Sequence, residues 1–261
     1  MNRLALNTIV VILLMVQLPA LCLAQLEGAY DAHGGLDTYK KKGTLEYDLS
    51  MELGGAINLS DHQLFDLNSR NVLITSDSYT IGFDGKEAWI TPGAEVLGIP
   101  PRFYALTPFY FFGLPFLFAD EGANLESLGT KELGGKEYDV VKVTFDKGVG
   151  DTPDDDYHAF IDKETKLLKV ATYIVTYPPL MQGKSVDELE RHAAVYDEWQ
   201  EVEGLTVPKK VVFYEWTDDK LSDQPHGFMT FDNVTFKETS PDPSVFHKPQ
   251  GAQVDNSNMS Q

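Results

Sequence analysis

In TLEYDLSMEL (44–53) every second residue is apolar. Leu45, Tyr47, Leu49, Met51 and Leu53 alternate with Thr44, Glu46, Asp48, Ser50 and Glu52. Successive side chains of an extended chain point to opposite sides, so this pattern describes a strand with one greasy and one wet face. Such a strand cannot stand alone. Its backbone needs neighbouring strands, and its apolar face needs a second layer to cover it.

Other segments supply the neighbours. A second long strand is predicted over 62–76. SYTIGFDGKEAWITPG (78–93) reads as a hairpin, with Asp84-Gly85 providing the positive φ angles of a tight turn. Strands resume at 136–146. Hairpins follow at 157–177, turning at Asp162–Thr165, and at 192–216, with Gly204 in the turn. The last clear strand is 227–239. Residues 26–42 read as helical at each end, with Gly34-Gly35 weakening the middle because glycine is costly inside a helix. ADEGANLESLG (119–129) reads as a short polar helix or loop. Residues 252–261 are polar and expected to be disordered. Neither an internal repeat nor a linker divides the chain, so 25–251 is expected to form one domain. The fold class is mainly β (α+β), a single antiparallel sheet curved around a central interruption.

That interruption is FYALTPFYFFGLPFLFAD (103–120), an aromatic run in a chain of net charge −19. As a membrane span it is broken by Pro108, Gly113 and Pro115, and no second span follows to support it. As a helix it has no polar face, because Phe109, Tyr110, Phe111 and Phe112 cover every direction. A segment apolar all round must be enclosed or must face a greasy space. Packed tightly against the concave face of the sheet, it completes a core. Packed with a gap, it lines a pocket for a lipid or acyl chain. The candidate lining residues are Tyr47, Leu49, Met51, Val72, Ile74, Trp89, Phe103, Phe109, Phe111, Phe112, Phe116 and Phe118.

The first 24 residues read as a secretory targeting segment. Arg3 gives the positive n-region, Ile9–Leu18 the apolar stretch, and Cys22 and Ala24 the small residues before cleavage near Ala24/Gln25. A lipoprotein reading of Cys22 needs a small residue before it, and Leu21 stands there. Cleavage removes the chain's single cysteine, which leaves no disulfide and no thiol chemistry. The expected location is secreted or periplasmic. The acidic surface repels phosphate backbones, so nucleic acid is not an expected partner.

Catalytic signatures are absent from the sequence. The six histidines, at 33, 62, 158, 192, 226 and 247, form no His-Glu-x-x-His pair, and no Gly-x-Ser-x-Gly elbow or phosphate loop occurs. His33 is expected to cap or pack at a helix end. Asp151, Asp154, Asp155 and Asp156 lack the spacing of a calcium loop and are expected to form a solvated turn. No catalytic residue, metal ligand or cofactor is therefore assigned.

Several stretches resemble the LolA-like superfamily, which includes periplasmic lipoprotein carriers. LFDLNSRNVLITSDSYTIGFDGKEAWIT contains Arg70, Asp84-Gly85-Lys86 and Trp89 in an order similar to the carriers' strand, basic residue, strand and aromatic. VEGLTVPKKVVFY and PDPSVFHKPQGAQV resemble their late segments. AHGG (32–35) and GVGDTPDDDY (148–157) are not carrier features and look more like a secreted branch of the superfamily. The resemblance implies an incomplete antiparallel β-barrel, closed by helices over an apolar cavity. It also implies that Arg70 hydrogen-bonds the lid; the carriers follow this residue with Pro, where Asn71 stands here. Arg102 is a second candidate latch. The function expected on this basis is a non-enzymatic binder or carrier of a lipid, acyl chain or lipoprotein. The alternatives are an envelope sensor or scaffold that binds a protein partner, and a hydrolase with an acidic site.

Overall fold

The computed structural model describes residues 25–257. The targeting segment and its cleavage site lie outside the described residues. The chain opens with helix α1 (25–32), a turn at Gly34-Gly35 and the short helix α2 (Leu36–Lys40). Gly34 has φ 101°, and a Cβ there would sit 2.1 Å from the Gly204 carbonyl oxygen, so only glycine fits where this corner meets the late hairpin.

The strands that follow are β1 (Thr44–Leu53), β2 (Ile57–Asp66), β3 (Val72–Thr75), β4 (Thr80–Phe83) and β5 (Ala88–Thr91). The central helix α3 (Pro101–Gly113) and a 3-10 turn, Phe116–Ala119, come next. After them run β6 (Ala123–Leu133), β7 (Lys136–Phe145), β8 (Tyr157–Asp162) and β9 (Leu168–Tyr173), then helix α4 (Pro178–Met181). β10 (Arg191–Val202), β11 (Leu205–Thr217), the two-residue β12 (Lys220–Leu221), β13 (Gly227–Lys237) and β14 (Gln253–Asp255) complete the fold.

One antiparallel sheet contains every strand, in the order β14-β5-β4-β3-β2-β1-β13-β11-β10-β9-β8-β7-β6, with β12 paired outside this path on β11. The two ends, β14 and β6, do not join, so the sheet is a curved, incomplete barrel. Register shifts between Glu46/Asp48, Ser127/Gly129, Phe160/Ile161 and around Glu198 mark bulges. Bulges bend and twist a strand, and here they let one long sheet curl. Among the described residues, no helix is long and apolar enough to cross a membrane.

β1 follows its alternation. Leu45, Tyr47, Leu49 and Met51 are buried, and Ser50 and Glu52 are exposed. The continuous strand expected over 62–76 is instead two strands, β2 and β3. They are separated by a turn in which Asp66 accepts from the Asn68 backbone N–H and the Ser69 hydroxyl, and Arg70 adopts φ 63°. Asp, Asn and Ser side chains close such turns locally. ADEGANLESLG is neither helix nor loop in its main part but the start of β6, paired along its length with β7. Half-buried edge strands carry polar residues freely, which hid this one. The tail is also ordered where 253–255 pair with β5, and the Arg102 backbone N–H donates to Asp255 at 2.8 Å.

Candidate functional site

Helix α3 lies in the concavity of the sheet. Pro101 starts it where no N–H partner is needed. Pro108 interrupts its hydrogen-bond ladder, and nearby the Thr107 hydroxyl donates to the Phe103 carbonyl at 2.7 Å. The helix has no polar stripe, and its rings radiate to strands on every side. Phe112 stacks on Tyr47 at 5.0 Å and meets Phe231 edge-on at 5.2 Å. Phe109 stacks on Phe65 at 4.8 Å. Phe111 meets Tyr173 and Phe213, each at 5.0 Å, and Tyr110 stacks on Tyr157 at 5.4 Å. Beyond the helix, Phe116 stacks on Tyr39 of α2 at 4.5 Å. Aromatic pairs at these separations add to the burial of their area.

The structure gathers Tyr47, Leu49, Met51, Val72, Ile74, Phe109, Phe111, Phe112, Phe116 and Phe118 into one buried cluster. Two of the proposed lining residues are placed elsewhere. Trp89 points to the opposite face from its neighbours Ala88 and Ile90, lies against Gly82, and donates its indole N–H to the Phe246 carbonyl at 3.0 Å. β5 is buried on both faces, so an aromatic there need not face the concavity. Phe103 is only half-buried at the rim, tilted on Tyr177 at 5.1 Å. Among the described residues, two recesses of about 290 Å³ each are lined by no residue of α3. In this conformation the rings of α3 fill the concavity.

Polar contacts fix both ends of the segment. Near the start of α3, Tyr104 and Tyr79 both donate to Asp61 Oδ2, at 2.5 and 2.6 Å, and Gln63 donates to Asp61 Oδ1 at 2.9 Å. Tyr47 in turn donates to Gln63 at 2.9 Å. Asp61 is 7% exposed, and burial raises its carboxyl above the ordinary range against the pull of these donors. At the other end, Arg70 Nη2 donates to both Asp120 oxygens at 2.9 Å, and its guanidinium lies over the Phe109 ring. Arg70 thus contacts the segment at Asp120 and Phe109. In between, the Tyr196 hydroxyl donates to the Phe111 carbonyl at 2.9 Å.

Arg102 is held by a bidentate pair with Asp151, at 2.5 and 2.8 Å, and donates to the Lys86 carbonyl at 2.6 Å. The acidic turn is therefore not simply solvated. Asp151 holds Arg102, Asp155 accepts from the backbone and hydroxyl of Thr176 at 2.8 and 2.6 Å, and Asp156 pairs with Arg191 and Lys142. Asp154 alone of the four is exposed.

His33 joins the helical corner to the sheet. Its Nε2 accepts from the Leu168 N–H at 3.1 Å, so Nδ1 carries the proton and donates to the Thr206 carbonyl at 2.8 Å. Burial lowers its pKa to about 4, keeping the ring neutral. Sequence reading missed Asp61 as a site residue. The available signal was its parity: Leu59, Asp61, Gln63 and Phe65 share the inward face of β2, and an acid on a greasy face demands partners.

A model of a family of unknown function, DUF6503, matches residues 102–187, from α3 through α4. No curated protein matches the chain in sequence. Among solved structures, a LolA superfamily protein from Nitrosomonas europaea is similar over 87% of this chain and 97% of its own, with 12% identity and a TM-score of 0.53. A DUF1329 family protein from Desulfovibrio piger is similar over 84% of this chain and 95% of its own, with 13% identity and a TM-score of 0.50. Together with the open, curved sheet and the helix across its concave face, these likenesses establish that the chain has the LolA-like fold.

Proposed function

We propose that the protein is a secreted or periplasmic, non-enzymatic binder of a lipid or acyl chain, free or carried on a lipoprotein, and that the ligand takes the place of the α3 rings. One observation carries this reading. α3 is apolar on every side and lies inside a half-barrel whose two edges remain unjoined. The helix covers the apolar concave face, and the unjoined edges leave a path by which an acyl chain takes its place. The tethers suit this role, because hydrogen bonds and the Arg102–Asp151 and Arg70–Asp120 ion pairs hold α3 and the turn after it and can break without covalent change. Arg70 acts as the latch at the Asp120 end in this reading.

Native mass spectrometry of the protein purified from its own host provides the test. A bound lipid mass, lost on delipidation together with a fluorescence response to a naphthalene-type apolar dye, is the expected result. A clean apo mass and no dye binding would leave α3 a permanent plug and remove the carrier reading.

A further inference from the structure

His192, Glu215 and His226 lie far apart in sequence, and the sheet brings them together. His192 on β10 and Glu215 on β11 are direct cross-strand partners. His226 immediately precedes β13, and its backbone N–H donates to the Phe213 carbonyl at 2.9 Å. By strand alternation His192 shares a face with Ala194 and Tyr196, and Glu215 with Val211 and Phe213, so both point to the concave side. The cluster forms the next layer beyond Phe111. His192 lies 5.8 Å from the Tyr173 ring and His226 lies 6.3 Å from the Phe213 ring, the two rings that enclose Phe111.

The three ligating atoms converge. His192 Nδ1 is 2.9 Å from Glu215 Oε2, His226 Nδ1 is 3.3 Å from Glu215 Oε1, and one such atom from each residue lies within 4.8 Å of the other two. Two ligands bound at about 2.0–2.2 Å in a tetrahedral zinc site stand roughly 3.3 Å apart. The two nitrogen–oxygen distances are near that value but fall on different carboxylate oxygens, so one ion held by all three side chains draws them slightly closer. The hydrogen bonding points the same way. Both Nδ1 atoms are buried, and neither makes a hydrogen bond despite the nearby carboxylate. At 2.9 Å a nitrogen and an oxygen that do not hydrogen-bond are misaligned, so the ring nitrogens aim beside the oxygens rather than at them. Two buried, unsatisfied imidazole nitrogens are costly unless something occupies the point they share.

We propose that His192, Glu215 and His226 bind a divalent transition-metal cation of the Zn²⁺ class at the rim of the half-barrel. Two imidazoles and one carboxylate favour such a cation over Ca²⁺ or Mg²⁺, which take oxygen ligands. The ion would clip β10, β11 and the entry to β13 together. A recess of about 290 Å³, lined by His226, Leu53, Lys210 and Phe228 among others, opens beside it. This proposal does not depend on lipid binding.

Calorimetric titration of the metal-stripped full chain with Zn²⁺ tests it, with Ca²⁺ as a parallel arm and Co²⁺ absorption as a spectroscopic readout. The expected result is one equivalent of tight Zn²⁺ binding, a rise in melting temperature with Zn²⁺ but not with Ca²⁺, and a visible Co²⁺ spectrum. His226→Gln and Glu215→Gln should each weaken Zn²⁺ binding about 100-fold or more, since even an outer partner of a ligand is worth 10–100-fold. All three side chains are at least a quarter exposed, so these variants should fold. His62→Gln, which alters another histidine–carboxylate cluster on β2, should bind as the wild type does. The proposal is overturned if the wild type binds no stoichiometric Zn²⁺. It is equally overturned if the His192→Gln, His226→Gln double variant retains wild-type affinity, or if binding is lost with His62.

Discussion

The two ends of the aromatic segment are held by contacts of opposite kinds. At the Tyr104 end, Asp61 is buried and receives three hydrogen bonds from neutral donors. At the Asp120 end, the Arg70–Asp120 pair is partly exposed, with side chains 34% and 48% accessible and the guanidinium over the Phe109 ring. A buried acceptor with satisfied donors is expensive to disturb, because each unpaired partner costs about 1–3 kcal/mol. An exposed ion pair contributes about 0–1 kcal/mol and weakens with salt. The segment is therefore pinned at its start and only lightly fastened at its finish. If the rings leave the concavity, the Asp120 end moves first.

Between the two ends, packing dominates. Phe112 is 1% exposed between Tyr47 and Phe231. Phe112→Ala should cost about 3–5 kcal/mol in denaturant unfolding, the range for a large ring lost from a filled core. A cost below about 1.5 kcal/mol would mean that Phe112 lacks neighbours on one side, and the contrast between filled centre and fastened ends would fail.

Acid should act on the lightly held end. His33 lies beneath it, 6.2 Å from the Phe116 ring, and is held neutral with a pKa of about 4. An unfolded histidine titrates near 6.5, so between pH 6.5 and about 4 the unfolded chain binds the extra proton. Stability falls as pH falls through that window, by up to about 1.4 kcal/mol per pH unit from this group. His158, lowered to about 4 mainly by burial, slopes the same way, so the readout is a difference. The stability of wild type minus that of His33→Gln should shrink with acidification. A constant difference from pH 7 to pH 4 would sink this account of His33.

A smaller effect isolates the pinned end. Tyr104→Phe removes one hydroxyl from Asp61 and leaves Tyr79 and Gln63 as donors, so unfolding should become easier by about 1–2 kcal/mol. Asp61→Asn should steepen the loss of stability in acid, since a carboxyl with a raised native pKa gains stability as pH drops into its titration range and the variant lacks that gain. An unchanged Tyr104→Phe would show that the tyrosine cluster does not pin α3.

What could be read from the sequence divides along the same line. Strand β1, the late hairpins and the two-part N-terminal helix followed from periodicity and from Gly34-Gly35, because local pattern and final structure agree there. The ring cluster was readable because no helix with Phe109, Tyr110, Phe111 and Phe112 in succession can avoid burial. The contacts that hold it were not. Asp61 meets Tyr104 and Tyr79 only after β2, β4 and α3 assemble, and His192 meets His226 only through the pairing of β10, β11 and β13. Strand β6 was missed because the bulge between Ser127 and Gly129 breaks its parity and its inward positions are only half-buried. Trp89 was misplaced because a strand buried on both faces gives no parity to read.

The smallest expected change in stability carries the sharpest test of the comparison. Arg70 adopts φ 63°, where alanine would add backbone strain of its own, so Arg70→Asn is the cleaner variant because asparagine tolerates that region. It removes the guanidinium from Asp120 and from the face of Phe109 while keeping the turn. The coupling between Arg70→Asn and Asp120→Asn in a double-mutant cycle should be below about 1 kcal/mol, as for other exposed pairs. The effect on ligand uptake should be larger in proportion. If the Asp120 end opens first, losing its fastening raises the population of the open state. An apolar dye or fatty acid should then bind faster to Arg70→Asn than to wild type, whereas Tyr104→Phe, despite its greater loss of stability, should change the rate little. Equal acceleration in both variants would mean that uptake follows general destabilisation rather than release of one end. Faster uptake in Tyr104→Phe alone would reverse the assignment of the ends.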